Sequence, residues 1–203
     1  MTDSPLVTAA SRWVLEKYTY NSNHLIDSLK WLDRIAPGSA EALRVATVTH
    51  DMERAFPGPD QPRPASLIDP LYNAAHAARS ARIVGAWLRE QDAGESLIEE
   101  VQALIRVHED GGWPEANLLQ AADSLSFLTC NVDLFLGMVR TGHWTAEEVQ
   151  SKFDYSYDRI QISHLKKLAL PLLQAATQRL RVESSKGQSS PILGDSHQRQ
   201  RAH

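Results

Sequence analysis

Apolar residues recur at three- and four-residue intervals over most of this chain. No stretch alternates polar with apolar as a half-buried strand does. That single periodicity predicts an all-α fold, a helical bundle of about seven helices in one domain, 1–183. Leu6, Ala9, Ala10, Trp13, Val14 and Tyr18 make a stripe over 5–19, and Leu25, Ile26, Leu29, Leu32 and Ile35 make another over 22–36, which Pro37-Gly38 ends. Ser39 reads as the start of a third helix through Ala42, Val45, Ala46 and Val48, although Ser39-x-x-Ala42 lacks the Glu of a full capping box. Pro57, Pro59, Pro62, Pro64 and Pro70 then exclude helix and central strand over 56–70, leaving a loop that is either a rim over a neighbouring site or a plain surface connection. Helices follow over about 71–91, 95–108, 114–140, 146–152 and 158–182. Thr145-x-x-Glu148 supplies a capping box for the fourth of these. From 184 to 203, Ser, Gln, Gly and Arg displace the periodicity, and this stretch reads as a disordered polar tail that holds His197 and His203.

Composition excludes several classes. At 203 residues the chain can bury a core without staples, and a formal net charge of −4 provides no basic footprint for nucleic acid or anionic membrane. Cys130 has no partner for an internal disulfide and, with Phe127, Leu128 and Leu134 around it, reads as an inert core thiol in a reducing compartment. No basic-then-apolar leader and no run of 18 uninterrupted apolar residues is present, so a cytoplasmic location is expected. Neither GxGxxG nor a P-loop occurs.

Chemistry enters through six potential metal ligands carried by the predicted helices: His24, the adjacent pair His50-Asp51, His76, His108 and Asp123. Imidazole and carboxylate suit Zn, Mn, Fe and Ni, and six such groups allow two ions. Adjacent residues on a helix point about 100° apart, so His50 and Asp51 can face one ion only at an edge or end of their helix. Glu109, Asp110, Asp27 and Glu53 are the nearby groups able to fix imidazole tautomers. His143 and His164 stand in no such pattern and read as surface residues.

The order H…HD…D, carried by His24, His50-Asp51 and Asp123, resembles the HD-domain superfamily of metal-dependent phosphohydrolases. The approach Ala42-Leu43-Arg44-Val45-Ala46-Thr47-Val48-Thr49-His50-Asp51 is similar to the apolar lead into the family's HD pair, and Ala121-Ala122-Asp123-Ser124-Leu125 is similar to its ADxL element. His76 in His-Ala-Ala-Arg-Ser-Ala and His108 in Ile-Arg-Val-His resemble the two extra histidines of the six-ligand, dinuclear branch. The resemblance spans about residues 20–128. It implies that His24, His50, Asp51 and Asp123 hold one divalent ion and His76 and His108 a second, with Asp51 bridging. Where many relatives carry a phosphate-binding lysine three residues after the Asp, this chain has Arg54, which keeps the charge and adds a planar fork of donors. The glycine-tyrosine-proline extension of the cyclic-dinucleotide phosphodiesterases is absent, since Glu109-Asp110-Gly111-Gly112 follows His108.

The activity so implied is hydrolysis of a phosphate mono- or diester, nucleotide-like, by a metal-activated hydroxide, with Asp51 and Arg54 as the catalytic residues and a phosphorylated small molecule as partner. Arg159 and Lys167 are further candidates for substrate contact, beside Tyr155 and Tyr157, which read as packing residues. Trp113 reads as a core residue. The same ligand order is similar to the HD-fold mixed-valent di-iron oxygenases acting on a small polyol or hydroxyphosphonate, and that is the alternative reading. Which of Fe, Mn, Zn, Ni or Mg is native, and the oligomeric state, are not encoded in any motif.

Overall fold

The computed structural model describes residues 4–188, and the part of the expected tail from 189 onward, with His197 and His203, lies outside the described residues. Among the described residues there are nine α-helices and no strand: α1 Pro5–Lys17, α2 Ser22–Ile35, α3 Glu41–Thr49, α4 Pro70–Glu90, α5 Glu95–Arg106, α6 Pro114–Ser126, α7 Val132–Arg140, α8 Ala146–Asp158 and α9 Ser163–Gln188. A 3-10 turn, Met52–Ala55, follows α3, and a π-helical turn, Phe127–Asn131, joins α6 to α7 into one rod. Counted that way, eight rods stand where about seven were expected.

Helix starts follow from local chemistry. Ser4 Oγ accepts from the Val7 amide at 3.2 Å with Pro5 in the first turn of α1. Asp69 Oδ1 accepts from the Leu71 and Tyr72 amides at 3.0 and 3.1 Å, which restarts the helix directly after the proline-rich loop. Both halves of the capping box predicted at Thr145 and Glu148 are formed.

Four boundaries differ from the expectation, one of them the start of α9, at Ser163 instead of about 158, because α8 takes the residues up to Asp158. The N-cap of α3 is Ala40, because the Ser39 hydroxyl donates back to the Ala36 carbonyl at 2.6 Å and is not free to cap. α8 runs on to Asp158 instead of stopping near 152, since Phe153 and Ser156 continue its buried face. α9 continues through 184–188, so the polar composition there ends the burial but not the helix.

Two apolar clusters form the core. One gathers α1 to α5 around Val14, Leu25, Val45, Leu88 and Ile105; the other gathers the π turn and α7 to α9 around Phe127, Leu136, Phe153 and Leu165. α6 stands between them, giving Ala116, Leu119 and Ala122 to the first and Ala121 and Leu125 to the second. The rod Pro114–Arg140 is, at 27 residues, long and apolar enough by composition to cross a membrane, but 61% of its most apolar window is buried inside the protein. Its burial is accounted for by this central position in the fold.

Four minor expectations resolve plainly. His143 and His164 are exposed, as expected. Trp113 is 38% exposed rather than a core residue, since it precedes α6 as its N-cap. Cys130 is half-buried, not in the core, because the π turn directs it toward Asp27 and Thr129. The half-buried Tyr155 and Tyr157 rings face cations, Lys152 and Arg159 on the first and Lys166 on the second.

Candidate metal centre

The His-Asp pair sits where α3 ends. His50 is its C-cap in helical geometry, and Asp51 follows at φ −102°, ψ 13°, outside the helix. Leaving the helix at this point lets both side chains turn inward, and both are buried, His50 at 1% and Asp51 at 3% exposure. His108 likewise lies just past the end of α5. His24 comes from α2, His76 from α4 and Asp123 from α6, and every one of the six predicted ligands is buried.

Their separations define a continuous cluster. Asp123 Oδ1 lies 3.1 Å from His24 Nε2 and 3.5 Å from His50 Nε2. Asp51 Oδ1 lies 3.6 Å from His76 Nδ1 and 3.8 Å from His108 Nε2. Glu109, which follows His108 in the chain, is 7% exposed and places Oε1 3.3 Å from His76 Nε2 and 3.7 Å from His108 Nε2. Three sets of ligand atoms lie close enough to hold a metal ion: His24, His50 and Asp123; His50, Asp51 and His108; and His76, His108 and Glu109.

Hydrogen bonds prepare the imidazoles as ligands. A carbonyl oxygen only accepts, so His50 Nδ1 donates to the Thr47 carbonyl at 2.9 Å and His108 Nδ1 to that of Ile105 at 2.8 Å. Ser126 Oγ donates to the His24 carbonyl at 2.8 Å and is left to accept from His24 Nδ1 at 3.0 Å. In all three rings Nδ1 thereby carries a proton, and Nε2 is the nitrogen that turns to the cluster. His76 is reversed, with Nε2 donating to Glu109 and Nδ1 facing Asp51, and Tyr72 stacks on its ring at 5.0 Å between centroids.

Four buried atoms, His50 Nε2, His76 Nδ1, His108 Nε2 and Asp51 Oδ1, have no hydrogen-bond partner. Buried polar atoms left without a partner cost about 1–3 kcal/mol each, and a cation bound among these four would relieve that cost. The donor set of imidazole nitrogen and carboxylate oxygen is one that binds transition-metal ions.

Charges around the cluster are strongly displaced. Burial alone would raise the Asp51 carboxyl, but Arg54, with Nη1 2.7 Å from Oδ2, and the imidazoles hold it well below the usual carboxylate range. Burial also opposes ionisation of Asp123 and Glu109, and Arg159, paired with both, holds the two well below their ordinary values. Burial disfavours the charged ring of His50, yet Asp123 and Asp51 outweigh it and push the group up to about 9; burial and the His50 ring bring His108 down to about 4.

Above the cluster opens a cavity of about 250 Å³, walled by Arg54, Lys152 and Arg159, among others, and roofed by Pro64, Ser66 and Leu67. The proline-rich loop is therefore a rim over the site. Arg79 fastens it to α4 by donating to the Glu53 and Phe56 carbonyls at 2.9 and 2.8 Å. Glu53 itself is fully buried beside Arg79 at 3.2 Å, and burial raises its carboxyl.

Arg159 reaches the site from the C-cap of α8, donating Nε to Ser124 Oγ at 2.9 Å. Lys167 does not reach it. The buried face of α9 carries Leu165 and Ala169, and Lys167, two residues or about 200° round the helix from each, is exposed to solvent. Glu109, expected to fix an imidazole tautomer, does so at His76, but its place among the possible ligands was not identified from sequence, nor were Lys152 and Asn131 in the cavity wall. The repeat of an acidic residue directly after a buried histidine, His108-Glu109 after His50-Asp51, was the available signal for the first. No motif marks the other two.

Comparison with protein-family models, with curated proteins and with solved structures found no match to this chain.

Proposed function

We propose that this chain is a metal-dependent phosphohydrolase of the HD type, acting on a phosphate mono- or diester. The observation that carries the reading is the convergence of four unpartnered buried ligand atoms, from His50, Asp51, His76 and His108, beside a cavity that Arg54, Lys152 and Arg159 line. The donor set suits divalent metal, and on this reading His24, His50, Asp51 and Asp123 would hold one ion and His76 and His108 a second, with Glu109 beside them. Such ions, when bound, supply Lewis acidity at phosphorus and an acidified water as nucleophile.

The chain's own residues do the rest. The Thr47 and Ile105 carbonyls keep the His50 and His108 protons on Nδ1 and so keep Nε2 available. Arg159 holds Asp123 and Glu109 ionised and fixed in direction. Arg54 secures Asp51 in the same way and lines the cavity. The proline-rich rim contributes Pro64, Ser66 and Leu67 to the cavity wall.

The experiment is to strip the protein with chelator, reload it separately with Mn, Zn, Ni, Mg and Fe(II), and assay phosphate release from mono- and diesters beside oxygen consumption. Phosphate release that needs the metal and disappears in Asp51→Asn is the expected result. No release with any ion, or oxygen consumption by the iron form with a polyol or hydroxyphosphonate, would overturn it.

A further inference from the structure

The three cations of the cavity are not equally available. Arg54 is paired with Asp51, and Arg159 is committed to Asp123, Glu109 and Ser124. The Lys152 ammonium makes no hydrogen bond and no ion pair among the described residues, its Nζ standing 4.9 Å from the centroid of Tyr155 and 5.7 Å from that of Phe127. An ammonium group in such a wall is stabilised by any anion that enters, because nothing else neutralises it at contact distance.

Beside Lys152 the wall changes character. The π turn brings Phe127 and Asn131 to the cavity, and α7 adds Leu134, Phe135 and Met138. Asn131 is 4% exposed and its Oδ1 has no partner, while the other four side chains are apolar. A π turn inserts one extra residue per turn and re-aims the side chains after it, a distortion that recurs at functional sites. The lining thus divides by element, with the candidate metal ligands and the cations on one set of helices and a group of apolar side chains beside the unpartnered Asn131 amide on the π turn and α7. About 250 Å³ is small against the ~300–1,000 Å³ of ordinary ligand pockets, which favours a compact occupant over a dinucleotide.

We propose that Lys152, rather than Arg54 or Arg159, takes the anionic group of the substrate, and that the chamber of Phe127, Leu134, Phe135 and Met138 takes a short hydrocarbon arm. The substrate class is then a small amphiphilic phosphate ester. The identity of the anion as phosphate rests on the phosphohydrolase reading; the division of the cavity does not.

Binding tests the division without requiring turnover. Methyl-, butyl- and hexylphosphonate, which are not esters, are titrated by calorimetry into the metal-loaded protein, into Lys152→Met and into Lys152→Arg, with metal content measured on each. Affinity is expected to rise by up to about fourfold per methylene until the chamber is full. Lys152→Met should weaken every member tenfold or more, Lys152→Arg should restore most of that, and metal content should stay constant. Equal binding of methyl- and hexylphosphonate would overturn the chamber. Undiminished binding in Lys152→Met, or loss of metal in that variant, would overturn the role of Lys152. If no phosphate ester is turned over while the chain-length gradient and the lysine dependence hold, the phosphohydrolase reading fails alone. If esters are turned over without a gradient, this inference fails alone.

Discussion

The floor and the wall of the central cavity follow opposite electrostatic plans. The floor is made of imidazoles and carboxylates whose side-chain nitrogens and oxygens converge. The wall carries guanidinium and ammonium groups, then an apolar chamber. A floor of this kind attracts cations, and a wall of this kind attracts anions with a carbon part. The two are joined by Arg54 and Arg159, which line the cavity yet spend their charge holding floor carboxylates in place. A cavity-lining cation is therefore not automatically a substrate ligand. Its partners decide.

The sharpest way to break the floor is Asp51→Asn, which keeps the shape but removes the charge facing His76, His108 and Arg54. Loss of a supporting partner of a metal ligand already costs about 10–100-fold in metal affinity. Removing this shared ligand should cost more, with metal content down by at least one equivalent and turnover lost with it. Elemental analysis beside the phosphate assay checks both.

Arg159→Met attacks the junction. It strands two buried carboxylates, and breaking a buried pair from one side costs about 3–5 kcal/mol. The loss should be greatest in chelator-treated protein and smaller when metal neutralises the same carboxylates, as urea unfolding with and without metal would show. Equal losses in both forms would place Asp123 and Glu109 outside the metal's reach.

A pH series sharpens the comparison further. His50 is held protonated up to about 9 in the fold against about 6.5 unfolded, so its contribution is complete below 6.5 and drains away between 6.5 and 9. His108 is held neutral down to about 4, so its contribution is complete above 6.5 and is lost as pH falls from 6.5 toward 4. Asp51, Asp123 and Glu109, all depressed, add further loss below their unfolded values near 4. Metal-free protein should thus be most stable to heat near pH 6.5. Bound metal should remove the alkaline decline, because the ion replaces the His50 proton. A thermal midpoint that keeps rising to pH 9 without metal would contradict this.

The smallest effect is expected at Lys167. Exposed and on the far side of α9, its replacement by Ala should move stability by no more than about 0.5 kcal/mol and leave KM unchanged. A raised KM would restore it to the wall.

Floor and wall also differed in how far they could be read from sequence. Each floor residue sits on an apolar helical segment, where a buried His or Asp is conspicuous, and His50-Asp51 stands side by side. The six candidate ligands were named for that reason, and the structure brings them together. The helical class was equally legible, because one period runs through nearly every segment. The wall has no such contrast. Lys152 lies in Gln150-Ser151-Lys152, polar text that reads as a solvated helix end, and only the continuation of α8 to Asp158 turns it inward. Asn131 depends on a π turn, which no propensity scale encodes. Lys167 was placed at the site by its charge and nearness to Arg159 in sequence, and helical geometry turns it away.

The most direct test of the whole account is metal content per chain after purification without chelator, measured for the native protein and for His76→Ala. The account predicts two equivalents, falling to one in the variant, with the ion at the His24, His50 and Asp123 end retained. No bound metal in the native protein, with none taken up on dialysis against Mn, Zn or Fe(II), would contradict the reading of the floor and of the function built on it.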